Sequence, residues 1–264
     1  MTIPTALTIA GSDAGGGAGI QADLKTFHEL GVYGMSALTA LTAQNTLGVH
    51  GVHEVPAPFV RAQLDAVLGD IGADAAKTGM LATRDIVLAV VAAVDEHGLD
   101  RLVVDPVCAS KHGDPLLRPD AVEVLRTQLL PRAEVVTPNT GEVALLTGVE
   151  IREVADLRAG AEAVRSLGPR WVLVKGGHLR DNPDAVDLLF DGDTEIRITG
   201  RRLDTVHTHG TGCTLAAAIA AHRARGSDVV AAVRAAKDYV TGAIAGGLAI
   251  GAGIGPVDHG WLRR

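Results

Sequence analysis

The sequence predicts an α/β fold built on a mostly parallel sheet covered on both faces. Three observations carry this. Short apolar runs alternate with segments of helical period. The runs are continuously apolar, as strands buried on both faces are. Glycines, carboxylates, an amide and a lysine gather just after those runs, where open parallel sheets bind ligands.

The elements follow in order. Residues 6–10 form a β-like run that ends in glycines, and 20–30 read as a helix. Residues 35–42 are β-like, 58–70 helical with Gly69 near the end, and 75–78 a short strand containing Lys77. Residues 85–97 are helical, with Gly98 placed to cap the C-terminus. A buried strand is predicted over 102–105, a helix over 120–129, a strand over 135–137 and a helix from 141 to 146. The helix over 154–167 is closed by Gly168 and Pro169, and 171–175 is an apolar strand. Strands 186–190 and 195–199 flank Asp191-Gly192-Asp193, a hairpin signal. Two helices, 212–225 and 228–250, complete the chain. No Pro-, Gly- or Ser-rich linker, charge block or repeat divides the 264 residues, so one domain over 1–264 is expected.

Composition narrows the function classes. Hydrophobic residues make up 47%, which excludes a disordered chain. The net charge of −7 argues against a nucleic-acid partner, and the 3% aromatic content against a base-stacking platform. Residues 30–53 and 239–257 lack charges but are too weakly apolar for spanning helices, so no membrane partner is expected. The first residues show no basic segment before an apolar run, and two distant cysteines do not make a disulfide scaffold. Both features point to the cytoplasm. Glycine is the outlier, with 32 residues.

Five segments could carry chemistry. Residues 10–23, AGSDAGGGAGIQAD, join a strand to a helix without P-loop or dinucleotide-fingerprint spacing. In HTHGTGCT, residues 207–214, the N–H groups of Gly210, Thr211, Gly212 and Cys213 open a helix and suit an anion site, though a plain helix cap with an inert buried cysteine fits the same residues. Cys213 in that first turn is expected to have a lowered pKa. The spacing of His207, His209 and Cys213 matches no zinc pattern. Asp105 ends an apolar strand in VVDPVCAS, and Asn139 and Glu142 follow another in TPNTGE. The last two also suit a capping box, in which both would be structural. Lys175 stands at a strand end before two glycines and suits phosphate contact, though a solvated lysine fits the same pattern. Together the five suit an anionic nucleotide with Mg²⁺ and phosphoryl transfer.

Residues 10–23, TAQNTLGV (42–49), KTGML (77–81), VVDPVCASKHGDPLL (103–117), TPNTGE, VKGGH and HTHGTGCT resemble the hydroxymethylpyrimidine/phosphomethylpyrimidine kinases of thiamine biosynthesis, in the ribokinase-like superfamily. The resemblance runs in order to GIGPVDH at 253–259. It implies a three-layer α/β/α fold, often dimeric, and a kinase using ATP and Mg²⁺. It also implies two consecutive phosphorylations, of a hydroxymethyl group and then of the resulting monophosphate. Carried over by position, it gives Gln44 as the pyrimidine-recognition residue, with Asp23, Gly11, Met80 and Val107 as further pocket residues. Asp105 and Glu142 fall on the metal and phosphate side. Asn139, Lys175, Thr208 and Thr211 align with ATP contacts, and Gly210, Gly212 and Cys213 with the anion hole and base. A carboxamide suits an aminopyrimidine edge, because each offers one donor beside one acceptor. Two departures stand out. Ala14 and Gly15 replace a common proline–serine pair, and Cys213 stands where many ribokinase relatives carry an aspartate base. A pyridoxal or pyridoxine kinase of the same superfamily is the nearest rival reading, and a non-catalytic nucleotide-binding module the more distant one.

Overall fold

A computed structural model of the chain describes residues 3–109 and 116–264. Positions 110–115 of the VVDPVCASKHGDPLL segment lie outside the described residues. The strands are β1 (Thr5–Asp13), β2 (Tyr33–Asn45), β3 (Gly48–Glu54), β4 (Ala75–Thr78), β5 (Leu102–Val104), β6 (Val135–Val136), β7 (Trp171–Val174), β8 (Asp184–Phe190) and β9 (Glu195–Arg201). They form one sheet in the order β3-β2-β1-β4-β5-β6-β7-β8-β9. The six central strands from β2 to β7 pair in parallel, and antiparallel strands close both edges.

Helices α1 (Gly19–Glu29), α2 (Ala57–Asp70), α3 (Arg84–His97), α4 (Pro119–Val124), α5 (Thr140–Thr147), α6 (Leu157–Arg165), α7 (Thr211–Ala224) and α8 (Val229–Ala245) cover the sheet. Alternate strand residues face two separate cores. Leu7, Ile9, Leu102 and Val104 pack with α2 to α6, whereas Ala6, Val103 and Val135 pack with α1, α7 and α8. This is the three-layer α/β/α arrangement, and it buries both faces of the sheet. The alanines of α7 at 216, 217, 218, 220 and 221 are fully buried and let it lie close to β1, β4 and β5.

The caps explain several boundaries. Gly98 ends α3 in the left-handed conformation, as its position predicts. Asn139 and Glu142 form a complete capping box on α5. Three expectations need correction. The helix predicted over 228–250 ends at Ala245, because Gly246 and Gly247 pack against Asp258 and the His207 carbonyl, and Leu248 N–H turns to Pro256 O at 2.8 Å. The helix predicted over 120–129 becomes a π-helical turn from Leu125 to Leu129. Strand β3 was not anticipated, since His50 and His53 interrupt its apolar pattern at the sheet edge. Among the described residues, no helix is long and apolar enough to cross a membrane.

Candidate active site

The carboxyl ends of the strands open into a cavity of about 670 Å³ that runs across the sheet from β2 to β9. That volume suits a small-molecule ligand. Gly11, Gln44, Met80 and Val107 line one part, and Asp187, Arg202, Lys237 and Thr241 another. Between them lie Lys77, Asp105, Asn139, Glu142, Lys175 and the turn from Thr208 to Cys213.

The turn is shaped by sequence. Gly210 has φ +82°, and a side chain there would strike the carbonyl oxygen of Gly17. Glycine therefore lets the anion turn and the glycine loop touch through bare backbone. The helix begins at Thr211, whose N–H donates to Thr208 O at 3.3 Å, and it turns the N–H groups of its first turn and its positive dipole end toward the cavity.

Opposite that helix end sits an ion-pair cluster. Lys175 Nζ donates to Asp105 Oδ1 at 3.0 Å and lies 3.8 Å from Glu142 Oε2. Thr137 Oγ1 donates to the same Asp105 oxygen at 3.1 Å. A side chain at Gly212 would come within 3.5 Å of Lys175 Nζ and 3.6 Å of Asp105 Oδ2. The first turn of α7 thus lies in van der Waals reach of the cluster. Lys175 is thus paired and largely buried rather than solvated. Burial pushes Glu142 up to about 7, with Asp105 adding to the rise and Lys175 opposing it. Behind the cluster, Gly176 N–H donates to Asp187 Oδ1 at 3.0 Å, and Lys237 Nζ to Asp187 Oδ2 at 2.6 Å. That buried pair pins the turn that carries Lys175.

Three expectations change here. Asp23 does not line the cavity. It is fully buried and accepts from Lys77 Nζ at 2.9 Å and Thr8 Oγ1 at 2.6 Å, so it holds Lys77, which does. The Cys213 thiol is not lowered. Burial pushes it up to about 11, although the Lys77 ammonium pulls the other way, because desolvation outweighs the helix terminus. Asn139 is first a cap: its Oδ1 accepts from Glu142 N at 2.9 Å, which leaves its Nδ2 for a ligand.

Sequence reasoning gave no role to Lys77, Asp187 and Lys237, nor to Asp13 and His209 as a pair. The signal was present for Lys77 and Asp187, since a charge inside an apolar strand must be paired. Asp13 accepts from the N–H groups of Gly15, Gly17 and Ala18 and from His209 Nε2 at 2.8 Å. Burial opposes its charge, but His209 and the loop N–H groups hold its carboxyl below the usual carboxylate range. The Gln44 amide at the end of β2 lies 3.4 Å from His209 Nε2, beside a bulge that His50 makes in the facing strand β3.

Residues 13–258 match the family model described as phosphomethylpyrimidine kinase. The chain is 58% identical to a hydroxymethylpyrimidine/phosphomethylpyrimidine kinase of Streptomyces coelicolor, over 99% of this chain and 96% of that protein. It is 42% identical to a pyridoxine kinase of Bacillus subtilis, over 100% and 98%. The crystal structure of an ADP complex of Bacillus subtilis pyridoxal kinase superposes with a TM-score of 0.93 at 42% identity, covering 99% of each chain. With an α/β/α frame, a cavity along the strand ends and a family match over nearly its whole length, the chain belongs to the phosphomethylpyrimidine kinase family.

Proposed function

We propose that this chain transfers the terminal phosphoryl group of ATP to the hydroxymethyl oxygen of 4-amino-5-hydroxymethyl-2-methylpyrimidine, and then to the resulting monophosphate, in thiamine biosynthesis. The single observation that carries the reading is one cavity holding both Gln44 and the Asp105–Lys175–Glu142 cluster facing the N-terminus of α7. Phosphoryl transfer asks for positioning and charge neutralisation above all. Lys175 and the N–H groups from Gly210 to Cys213 supply positive potential on two sides of one space. Gln44, with Gly11, Met80 and Val107 around it, receives the pyrimidine. Asn139 Nδ2, Thr208 and Thr211 meet the ATP phosphates, and Cys213 receives the hydroxymethyl proton in the first reaction.

Mg²⁺ fits this donor set. Among the described residues no group of three or more His, Cys, Asp and Glu could hold a metal. Mg²⁺ bound with substrate phosphates needs only one or two carboxylates. Asp105 and Glu142 would hold it, and when bound it neutralises phosphate charge. The unfavourable charging of Glu142 beside Asp105 supports this, because a cation there would relieve it.

The protein works as a single cytoplasmic domain, a location supported by its free Cys108 and Cys213. It works as a homodimer: the free edge of strand β3, with Val52 45% exposed, offers a surface for a second copy. Light scattering at twice the monomer mass checks the dimer. The function is tested by incubating purified protein with Mg²⁺, ATP and the hydroxymethylpyrimidine, and detecting mono- and diphosphate by mass. The full-length likeness to pyridoxine kinase makes pyridoxine the comparison substrate. A higher kcat/KM on pyridoxine would make this a pyridoxine kinase, and no transfer to either would leave a nucleotide-binding module.

A further inference from the structure

We infer that His209 is a positioning residue that fixes which end of the Gln44 carboxamide faces which side of the pyrimidine. The inference rests on the assignment of Gln44 as the pyrimidine-recognition residue proposed above.

The argument is one of donors and acceptors. Asp13 receives three backbone N–H groups, from Gly15 at 2.8 Å, Gly17 at 3.0 Å and Ala18 at 2.8 Å. A carboxylate so surrounded is an acceptor, so the His209 Nε2 atom 2.8 Å from Asp13 Oδ2 carries the proton. A ring nitrogen that donates has no lone pair left. The end of Gln44 that lies 3.4 Å from His209 Nε2 therefore has to be the carbonyl oxygen, not the NH₂. The two ends of a carboxamide have the same shape, so the surrounding network decides between them.

The other end of the amide agrees. Thr42 Oγ1 lies 2.9 Å from Ser12 O, to which it donates, and 3.2 Å from the Gln44 amide. With its proton given to Ser12, the hydroxyl is free to accept, and it accepts from the Gln44 NH₂. His209 and Thr42 thus hold opposite ends of one amide. One lone pair on Oε1 and one N–H on Nε2 remain for the cavity, in fixed order. That pair complements an exocyclic amino group beside a ring nitrogen.

His209 is itself held rigidly. Its N–H donates to Gly255 O and its carbonyl accepts from Val257 N–H, both at 3.1 Å. Its ring lies so close to Gly17 that a side chain there would come within 2.6 Å of Cδ2. The segment GIGPVDH, which lines no part of the cavity itself, thereby acts on the substrate through His209.

The test compares wild type, His209→Leu and His209→Gln with the hydroxymethylpyrimidine and with the analogue lacking its amino group. Leucine removes the donor, and glutamine keeps one. In His209→Leu the KM for the aminopyrimidine rises about tenfold, the size of one aligned hydrogen bond, and the KM for ATP is unchanged. The preference for the amino compound falls by the same factor, and His209→Gln recovers most of it. An unchanged preference, a parallel rise in both KM values, or a glutamine variant as poor as leucine overturns the inference. If His209→Leu does not fold, Thr42→Val loosens the other end of the amide and must lower the same preference. Wild-type protein inactive on the hydroxymethylpyrimidine would overturn the proposed function, and this inference with it. An active wild type with unaltered discrimination in the variants would overturn the inference alone.

Discussion

Replacing Cys213 by alanine separates the two phosphorylations. The thiol lies in the first turn of α7, and burial raises it to about 11 against the pull of Lys77. At pH 7 about one molecule in 10⁴ then carries the thiolate, a penalty of about 5 kcal/mol, and that fraction rises about tenfold per pH unit. The hydroxymethyl group is a weak nucleophile that benefits from a base, whereas the monophosphate oxygen is already ionised above its second pKa of about 6. A positioned base contributes about 10²- to 10⁴-fold. With the thiolate so sparse at pH 7, Cys213→Ala costs the first reaction less than that factor there and about a hundredfold more at pH 9, and costs the second less than about tenfold at either pH. Glu142, raised to about 7, affects both reactions alike, so their ratio isolates the thiol. In wild type the ratio of first to second kcat/KM rises about a hundredfold between pH 7 and pH 9, and in the variant it is flat. A coupled ATPase assay with each substrate limiting reads both rates. Equal losses in the two reactions, or a wild-type ratio independent of pH, would refute the base assignment and leave Cys213 a wall of the anion site.

Three further outcomes are expected. Glu142→Gln keeps the cap on α5, because an amide oxygen still accepts from Asn139 N–H. The folded pKa of Glu142, about 7, exceeds its ordinary 4.5, so its charging removes stability as pH climbs between those values. The variant is therefore more stable than wild type by about 1–3 kcal/mol at pH 8 and nearly equal at pH 5, read by denaturant unfolding, while phosphoryl transfer falls. Lys77→Met strands the fully buried Asp23 and destabilises the protein by about 3–5 kcal/mol, and Lys77→Met with Asp23→Leu regains most of this in the same unfolding assay. Gly210→Ala forces a side chain into the Gly17 carbonyl at a left-handed backbone position, so kcat falls by about 10²-fold or more as the anion turn shifts.

Much of the fold and site was legible along the chain because the relevant physics is local. Apolar runs such as 102–105 and 171–175 read as buried strands, and Gly98 and the Asn139–Glu142 box marked helix ends through short-range hydrogen bonds. The cluster of Asp105, Glu142 and Lys175 was legible as a set because strand ends in a parallel sheet share one edge. Edge strand β3 was not, since His50 and His53 interrupt its apolar pattern.

Most groups that gather at the cavity were thus legible in the sequence alone: three glycine turns, a carboxamide, two carboxylates and a lysine, at or just beyond strand ends. What those groups do electrically was decided by the tertiary structure. Cys213 was expected to be an acidic thiol from its helix position, yet burial among α7, Lys77 and the sheet makes it a weak acid. Asp23 was expected at the substrate, yet it lies behind Lys77. His209 and Asp13 stand 196 positions apart and meet only when β1 and α7 pack together. The physical reason is common to all three. Chain position sets local hydrogen bonds and helix dipoles, but desolvation and pairing depend on neighbours that only the packed layers bring into contact.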